Sequence, residues 1–229
     1  MATSPEYFQS AFSVDNVIFG FDEGKLKILL IKRGEAPFED YWALPGDLVY
    51  PDESIDNASK RILTELTGLE NVYLEQVKTF GEPKRHPVGR VITIAYYSLL
   101  KPDKFSLKAS SFAQEVKWHD IHEVGQLAFD HNKILAVCFE TFKRKVRTRP
   151  VGFELLPAKF TLTELQHLYE AILEAELDKR NFRKKILSMN LLRDLEQYQE
   201  GVAHRPAKLY EFDEKKYQEL LSDGFSYTI

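Results

Sequence analysis

Pro45-Gly46-Asp47-Leu48-Val49-Tyr50-Pro51-Asp52-Glu53 and, eight positions on, Arg61-Ile62-Leu63-Thr64-Glu65-Leu66-Thr67-Gly68-Leu69 decide how the first half of this chain is read. Asp47 has the chemistry of a turn residue. Ser54 carries the short oxygen-bearing side chain of a helix N-cap, and Gly68 stands where a helix closes in the left-handed conformation. The stretch therefore predicts a helix from Ser54 to Thr67. On it, positions 62, 65 and 66 are spaced i, i+3 and i+4 and share one face. That face offers Ile62, Glu65 and Leu66, one carboxylate between two hydrocarbons.

Around this helix the first half reads as short strands. Val14–Phe21 and Leu26–Ile31 are β-rich runs separated by Asp22-Glu23-Gly24, a hairpin signal. Val72–Thr79, Arg90–Leu100 and Glu115–Trp118 read as further strands. From Asn132 to Arg147 the pattern turns helical, with Ile134, Val137, Cys138 and Phe142 recurring. Arg149-Pro150-Val151-Gly152 breaks that helix and reads as a linker, dividing the chain into 1–149 and 150–229. Leu162–Ile172 is then amphipathic, and Asp178 can cap a helix from Lys179 to Met189. Leu191–Asp194 and Lys208–Phe212 frame a segment containing glycine and proline, Glu200–Pro206. Helix, helix and two-stranded ribbon is the order of a winged helix-turn-helix.

Composition narrows the function classes. At 229 residues with 44% apolar and 29% charged side chains, disorder and collagen-like repeats are excluded. No apolar run approaches the roughly 18 to 20 residues of a membrane helix, and no signal peptide is visible, so a cytoplasmic protein without a membrane partner is expected. The single cysteine, Cys138, excludes an intramolecular disulfide and a cysteine zinc site. The net charge of −4 hides an asymmetry: residues 141–229 hold 16 Lys and Arg against 14 Asp and Glu. The cations cluster at 143–149 and 179–185, which suits nucleic acid.

The opening stretch resembles the Nudix box, whose pattern runs two glycines, five residues, Glu, seven residues, Arg-Glu-apolar-x-Glu-Glu-x-Gly-apolar. Aligned on Arg61 and Gly68, Glu53, Leu63, Glu65 and Leu69 fall in register. Leu29–Arg33 and Tyr41–Gly46 resemble the strand and approach loop that precede the box. The resemblance implies a fold, and in the family's hydrolases a helix face that holds Mg²⁺ against a diphosphate. Asp47 departs from the second glycine, and Ile62 and Leu66 replace two carboxylates. Mg²⁺ requires hard oxygen ligands, so the reading is of no catalytic residue, no metal and no cofactor. Glu53 is assigned to Arg61 as a salt partner.

A pocket without turnover is expected to bind a sugar or nucleotide sugar, lined by Trp42, Asp47, Glu65, Arg85, Phe129, Asp130 and His131. In the second half, Lys179, Arg180, Asn181 and Arg183 occupy the first turns of the second helix, with Lys184 and Lys185 behind. Arg180, Asn181 and Arg183 suit base edges, while Lys184, Lys185 and Arg205 suit phosphate. Phe182, Ile186 and Leu187 are its expected apolar anchors, and His204, Arg205 and Lys208 the wing.

The whole pattern is similar to the Nudix-related transcription regulators of the NrtR and AraR type. That resemblance implies an α+β chain: an N-terminal α/β/α sandwich with a mixed sheet, then a C-terminal winged helix-turn-helix. It also implies a homodimeric repressor on a palindromic double-stranded operator, released by ADP-ribose in one branch and L-arabinose in another. The losses at 62 and 66, with no obvious diphosphate clamp, favour the sugar branch and control of sugar-utilisation genes. The alternatives are an ADP-ribose-responsive regulator of NAD metabolism and a hydrolase with rearranged ligands, Glu53, Glu65 and Asp47. The helix from Asn132 to Arg147 is the expected coupling element.

Overall fold

The computed structural model describes residues 10–202 and 205–229. Its first unit, Met1–Gly20 with Lys27–Thr141, is organised by β1 (Ala11–Asp22), in which Ser13 to Gly20 are all buried. A strand covered on both faces reads as a continuous run rather than an alternation. Val14 and Ile18 pack toward the helix α1 (Ile55–Thr67). By the two-residue period of a strand, Asp15, Val17 and Phe19 point the other way. There Phe19 lies 6.0 Å from Phe139 of α2 (His131–Thr148).

The sheet contains β2 (Lys25–Arg33), β3 (Trp42–Ala43), β4 (Gly46–Leu48), β5 (Glu75–Phe80), β6 (Val91–Leu100) and β7 (Ala113–Asp120). Its order is β3-β2-β1-β6-β5, with β4 on β1 and β7 on β2. β1 and β6 run parallel and the other pairs antiparallel, so the sandwich carries a mixed sheet, as expected. The hairpin forms at Glu23 and Gly24, both with positive φ, which suits the right-handed twist of the flanking strands. α1 starts on Ser54, whose Oγ accepts the Asn57 N–H at 3.2 Å, and closes on Gly68 at φ 75°. β5 begins at Glu75 rather than Val72, because Val72 joins the core beside Leu63 and Leu69 without joining the ladder.

The second unit, Phe21–Leu26 with Phe142–Ile229, contains β8 (Phe160–Thr161), α3 (Leu162–Leu173), α4 (Lys179–Ser188), β9 (Leu192–Tyr198), β10 (Lys208–Phe212) and α5 (Glu214–Ser222). The segment read as a linker is a 3-10 turn, Pro150–Leu155, with Pro150, Gly152, Phe153 and Leu155 buried. Phe153 stacks on Phe212 with centroids 4.4 Å apart, so apolar contact holds this segment in place. The wing has three strands, order β8-β10-β9, because Phe160 and Thr161 pair with Tyr210 and Leu209. α3 is fixed by a capping box in which Thr161 and Glu164 satisfy each other's backbone N–H groups. α5 and the tail have no counterpart in the sequence reading. The Tyr227 hydroxyl bonds that of Tyr169, both buried, and the Ile229 N–H donates to Arg147 O at 3.0 Å. Among the described residues no helix is long and apolar enough to cross a membrane.

Candidate functional site

In the first unit the site begins with a glycine. Gly46 of β4 stands opposite Asp15 of β1, and a Cβ at position 46 would collide with Asp15 Oδ1. Glycine there lets backbone approach a carboxylate that is only 5% exposed. Arg85 is equally buried, its Nη2 3.9 Å from Asp15 Oδ2. It grips Asp130 with both ends of its fork, Nε to Oδ2 at 3.0 Å and Nη2 to Oδ1 at 2.5 Å, and donates to the Thr93 hydroxyl. His131 Nδ1 accepts the Leu44 N–H at 3.0 Å, which leaves the ring proton on Nε2, 3.4 Å from Asp15 Oδ1.

Burial dominates the titration of this cluster. It pushes Asp15 up to about 7 against the pull of Arg85. It pushes His131 down to about 3. The cluster therefore favours an uncharged imidazole beside a carboxyl group that burial makes a far weaker acid than usual. Asp47 is also raised by burial, and His86 lowered by it.

Asp15, Arg33, Gly46, Asp47, Arg85, His86, Thr93, Phe129 and His131 surround a cavity of about 80 Å³. His86 stacks on Phe129 at 5.0 Å and 14°, and the Arg33 guanidinium lies 5.1 Å from the same ring. Alongside, Glu82, Lys84, Arg85, Asp130 and Lys133 line a cleft of about 500 Å³. Of the residues expected in the pocket, Asp47, Arg85, Phe129 and His131 meet, and Asp130 reaches it through Arg85. Trp42 and Glu65 do not line it. Trp42 packs edge-on against His119 at 4.3 Å, and Glu65 is held by Arg61 Nη1 at 3.0 Å. The sequence reading passed over Asp15, Arg33 and Thr93. The signal was present: Asp15-Asn16 is a polar pair inside an otherwise apolar strand, and buried polar groups demand partners.

The same geometry tests the fit of Mg²⁺. Ile62 and Leu66, at 0% and 1% exposure, belong to a core with Val14, Ile31, Ala43 and Ala58, against which Phe38, Phe112 and Phe129 pack. Glu53 is bonded twice to Arg61, at 2.6 and 3.0 Å, which holds its carboxyl below the usual range. Among the described residues no group of three His, Cys, Asp or Glu could hold a metal. A hard octahedral ion does not fit this donor set.

The second unit carries its charges on the outside. Lys179, Arg180, Asn181, Lys184 and Lys185 of α4 are exposed, and the helix contains no acidic residue. Phe182 and Ile186 are its buried anchors, Phe182 lying 5.6 Å from Tyr169, whereas Leu187 is 45% exposed and anchors nothing. Asp178 caps the helix through the Asn181 N–H at 2.8 Å. Lys179 and Arg180 then sit at the positive end of the helix dipole, an arrangement that costs about 0.3–1 kcal/mol per cation and that a bound anion relieves. Arg183, expected to read bases, is half-buried: its Nη2 donates to Thr163 Oγ1 at 2.7 Å, and its buried Nε has no partner. It ties α4 to the start of α3. On the wing, Lys208 Nζ lies 2.5 Å from Asp194 Oδ2, and Arg205 is exposed; His204 lies outside the described residues.

Residues 10–140 match the NUDIX domain family, and residues 152–212 match the NrtR DNA-binding winged helix domain. The ADPR responsive transcriptional repressor of Acinetobacter baylyi is 35% identical over 211 residues, spanning 90% of this chain and 84% of its own. Shewanella oneidensis NrtR, solved in complex with a 27mer DNA, is similar with a TM-score of 0.74 and 28% identity, over 94% of this chain and 97% of that one. The NUDIX domain of the Shewanella oneidensis protein, solved with ADP ribose, is 30% identical with a TM-score of 0.56, over 61% and 93%.

Proposed function

Because the chain belongs to the NrtR-type family of transcriptional regulators, in which a Nudix domain precedes a DNA-binding winged helix, we propose that it is a repressor released from its operator by ADP-ribose. The observation that carries the reading is α4: an acid-free helix whose exposed cations crowd its own N-terminus. Such a helix is suited to lie in a major groove, with Arg180 and Asn181 toward base edges and Lys184 and Lys185 toward phosphates. A homodimer on a palindromic site fits one recognition helix per protomer.

ADP-ribose displaces the pentose expected from the sequence. The names of the Acinetobacter baylyi repressor and of the solved Shewanella oneidensis NUDIX domain both specify ADP-ribose. The pentose reading leaned on the missing carboxylates at 62 and 66, yet their loss removes a metal site and does not exclude a diphosphate held by other cations. The cavity and its neighbouring cleft hold Arg33, Lys84, Arg85 and Lys133, cations suited to a diphosphate. With Ile62 and Leu66 in the core, we read the domain as a sensor that binds without hydrolysis.

The test is selection of duplexes from a random pool by the full chain, with ADP-ribose and L-arabinose added in turn. A single enriched palindrome, lost on adding ADP-ribose and kept with L-arabinose, is the expected result. No enrichment at low salt overturns the DNA reading, and release by arabinose alone overturns the effector. Mg²⁺-dependent cleavage of ADP-ribose that disappears in Glu65→Gln would end the non-hydrolytic reading.

A further inference from the structure

In Nudix hydrolases, as the box resemblance implies, a divalent cation bridges helix carboxylates and the substrate's diphosphate. Here the corresponding helix face is hydrocarbon, and Glu53 and Glu65 are both engaged by Arg61. A diphosphate carries the same charge whether or not a metal accompanies it, so some other cation must stand in its place. We propose that this protein holds the diphosphate of its effector without a divalent cation, on Lys84, Arg85 and Lys133 in the cleft beside the Asp15–His131 cavity. The inference rests on the ADP-ribose reading and adds to it how the diphosphate is bound.

Three observations carry it. The cavity of about 80 Å³ is below the roughly 300 Å³ of an ordinary small-ligand pocket. The cleft of about 500 Å³ is not, and the two share Arg85, so a ligand with a sugar at one end and a diphosphate beyond it spans both. Second, Arg85 is built into the site rather than waving above it. Its side chain is 4% exposed and three of its five N–H donors are used, by Asp130 twice and Thr93 once, while Nη2 also faces Asp15 Oδ2 at 3.9 Å. Third, the cleft's cations outnumber its carboxylates. Asp130 is already committed to Arg85, which leaves Glu82 against Lys84 and Lys133, both exposed and without an ion pair among the described residues. Lysine on a flexible stem is a point-charge phosphate binder and demands no fixed geometry of the diphosphate.

The test is calorimetric titration of the full chain with ADP-ribose in buffer containing EDTA and in buffer containing Mg²⁺, using wild type, Lys84→Gln, Lys133→Gln and the double variant. Both lysines are exposed, so the variants are expected to melt as wild type does. The expected result is the same Kd, within about twofold, in both buffers. Each single variant is expected to bind roughly tenfold more weakly and the double variant roughly a hundredfold, while adenosine, which lacks the diphosphate, is bound equally by all four. Binding that needs Mg²⁺, or a double variant that binds ADP-ribose as wild type does, overturns the inference and leaves the effector reading standing. Absence of ADP-ribose binding in both buffers overturns the two together.

Discussion

The two charged regions of this molecule solve opposite problems. In the Nudix unit, Asp15, Arg85 and His131 are each at most about 7% exposed on the side chain, and each is spoken for by another group. On α4 of the winged helix Lys179, Arg180, Lys184 and Lys185 stand in water with no acid on their own helix. A pocket for a small molecule must desolvate its charges in advance and hold them in place, because the ligand brings few contacts with which to organise them. A surface for DNA gains from the reverse: its cations release condensed counterions on binding and need no fixed partner beforehand. One region is expected to fail by unfolding when a charge is removed, the other only by losing its ligand.

The largest expected effect tests that contrast directly. Arg85→Ala takes the guanidinium from the buried Asp15 and the part-buried Asp130, and breaking a buried pair from one side costs about 3–5 kcal/mol. Arg180→Ala is expected to change unfolding free energy by less than about 0.5 kcal/mol. Urea titrations of the two variants give both numbers, and comparable losses would erase the distinction. Next in size is the operator itself. Arg180→Ala and Asn181→Ala are each expected to cost about 1–3 kcal/mol of binding and to relax preference at one position per half-site, read by anisotropy against single-position variants of the operator. Arg183→Ala is expected to differ from both, since losing its bond to Thr163 loosens α4 and lowers the melting temperature as well.

Much of this fold was written in short-range spacing. α1, α3, α4 and the β1–β2 hairpin follow from caps, turn residues and helical periodicity, all local. β3, β4 and β8 were not legible, because two or three residues make no period and are fixed only by their partners. α5 was missed because its buried Tyr217 gains meaning only against Phe212, 6.0 Å away on β10. The pocket was legible where the box and the Phe129-Asp130-His131 triplet marked it. Asp15 and Arg33 sit on central strands, and only the sheet's register brings them to the site.

A smaller effect sharpens the electrostatics of the buried region. Asp15 is raised to about 7 from 3.8, so between those values the folded state binds the extra proton and stability is lost as pH rises. His131 is lowered to about 3 from 6.5, so its contribution is lost as pH falls through that window. The two oppose each other. Asp15→Asn removes only the first, so the variant's stability relative to wild type is expected to climb from about pH 5 to 7, at no more than about 1.4 kcal/mol per pH unit, and to level off above about 8. A difference that falls with pH would mean that Arg85 outweighs burial at Asp15. The smallest effect belongs to the exposed face. Lys185→Ala is expected to flatten the salt dependence of operator binding by about one unit per protomer and to weaken random duplex equally. Lys208→Ala is expected to flatten it less, because its ammonium already rests on Asp194.

The burial of Ile62 and Leu66 also bears on how such a domain can change over generations. A glutamate introduced at either position alone enters a core of Val14, Ile31, Ala43 and Ala58, and a buried charge without a partner is among the most destabilising of single changes. A second glutamate would aggravate the first until a metal arrived to bind both. Restoring the carboxylate face one residue at a time is therefore expected to lower stability at each step, while exchange among hydrocarbons at 62 and 66 is expected to be tolerated.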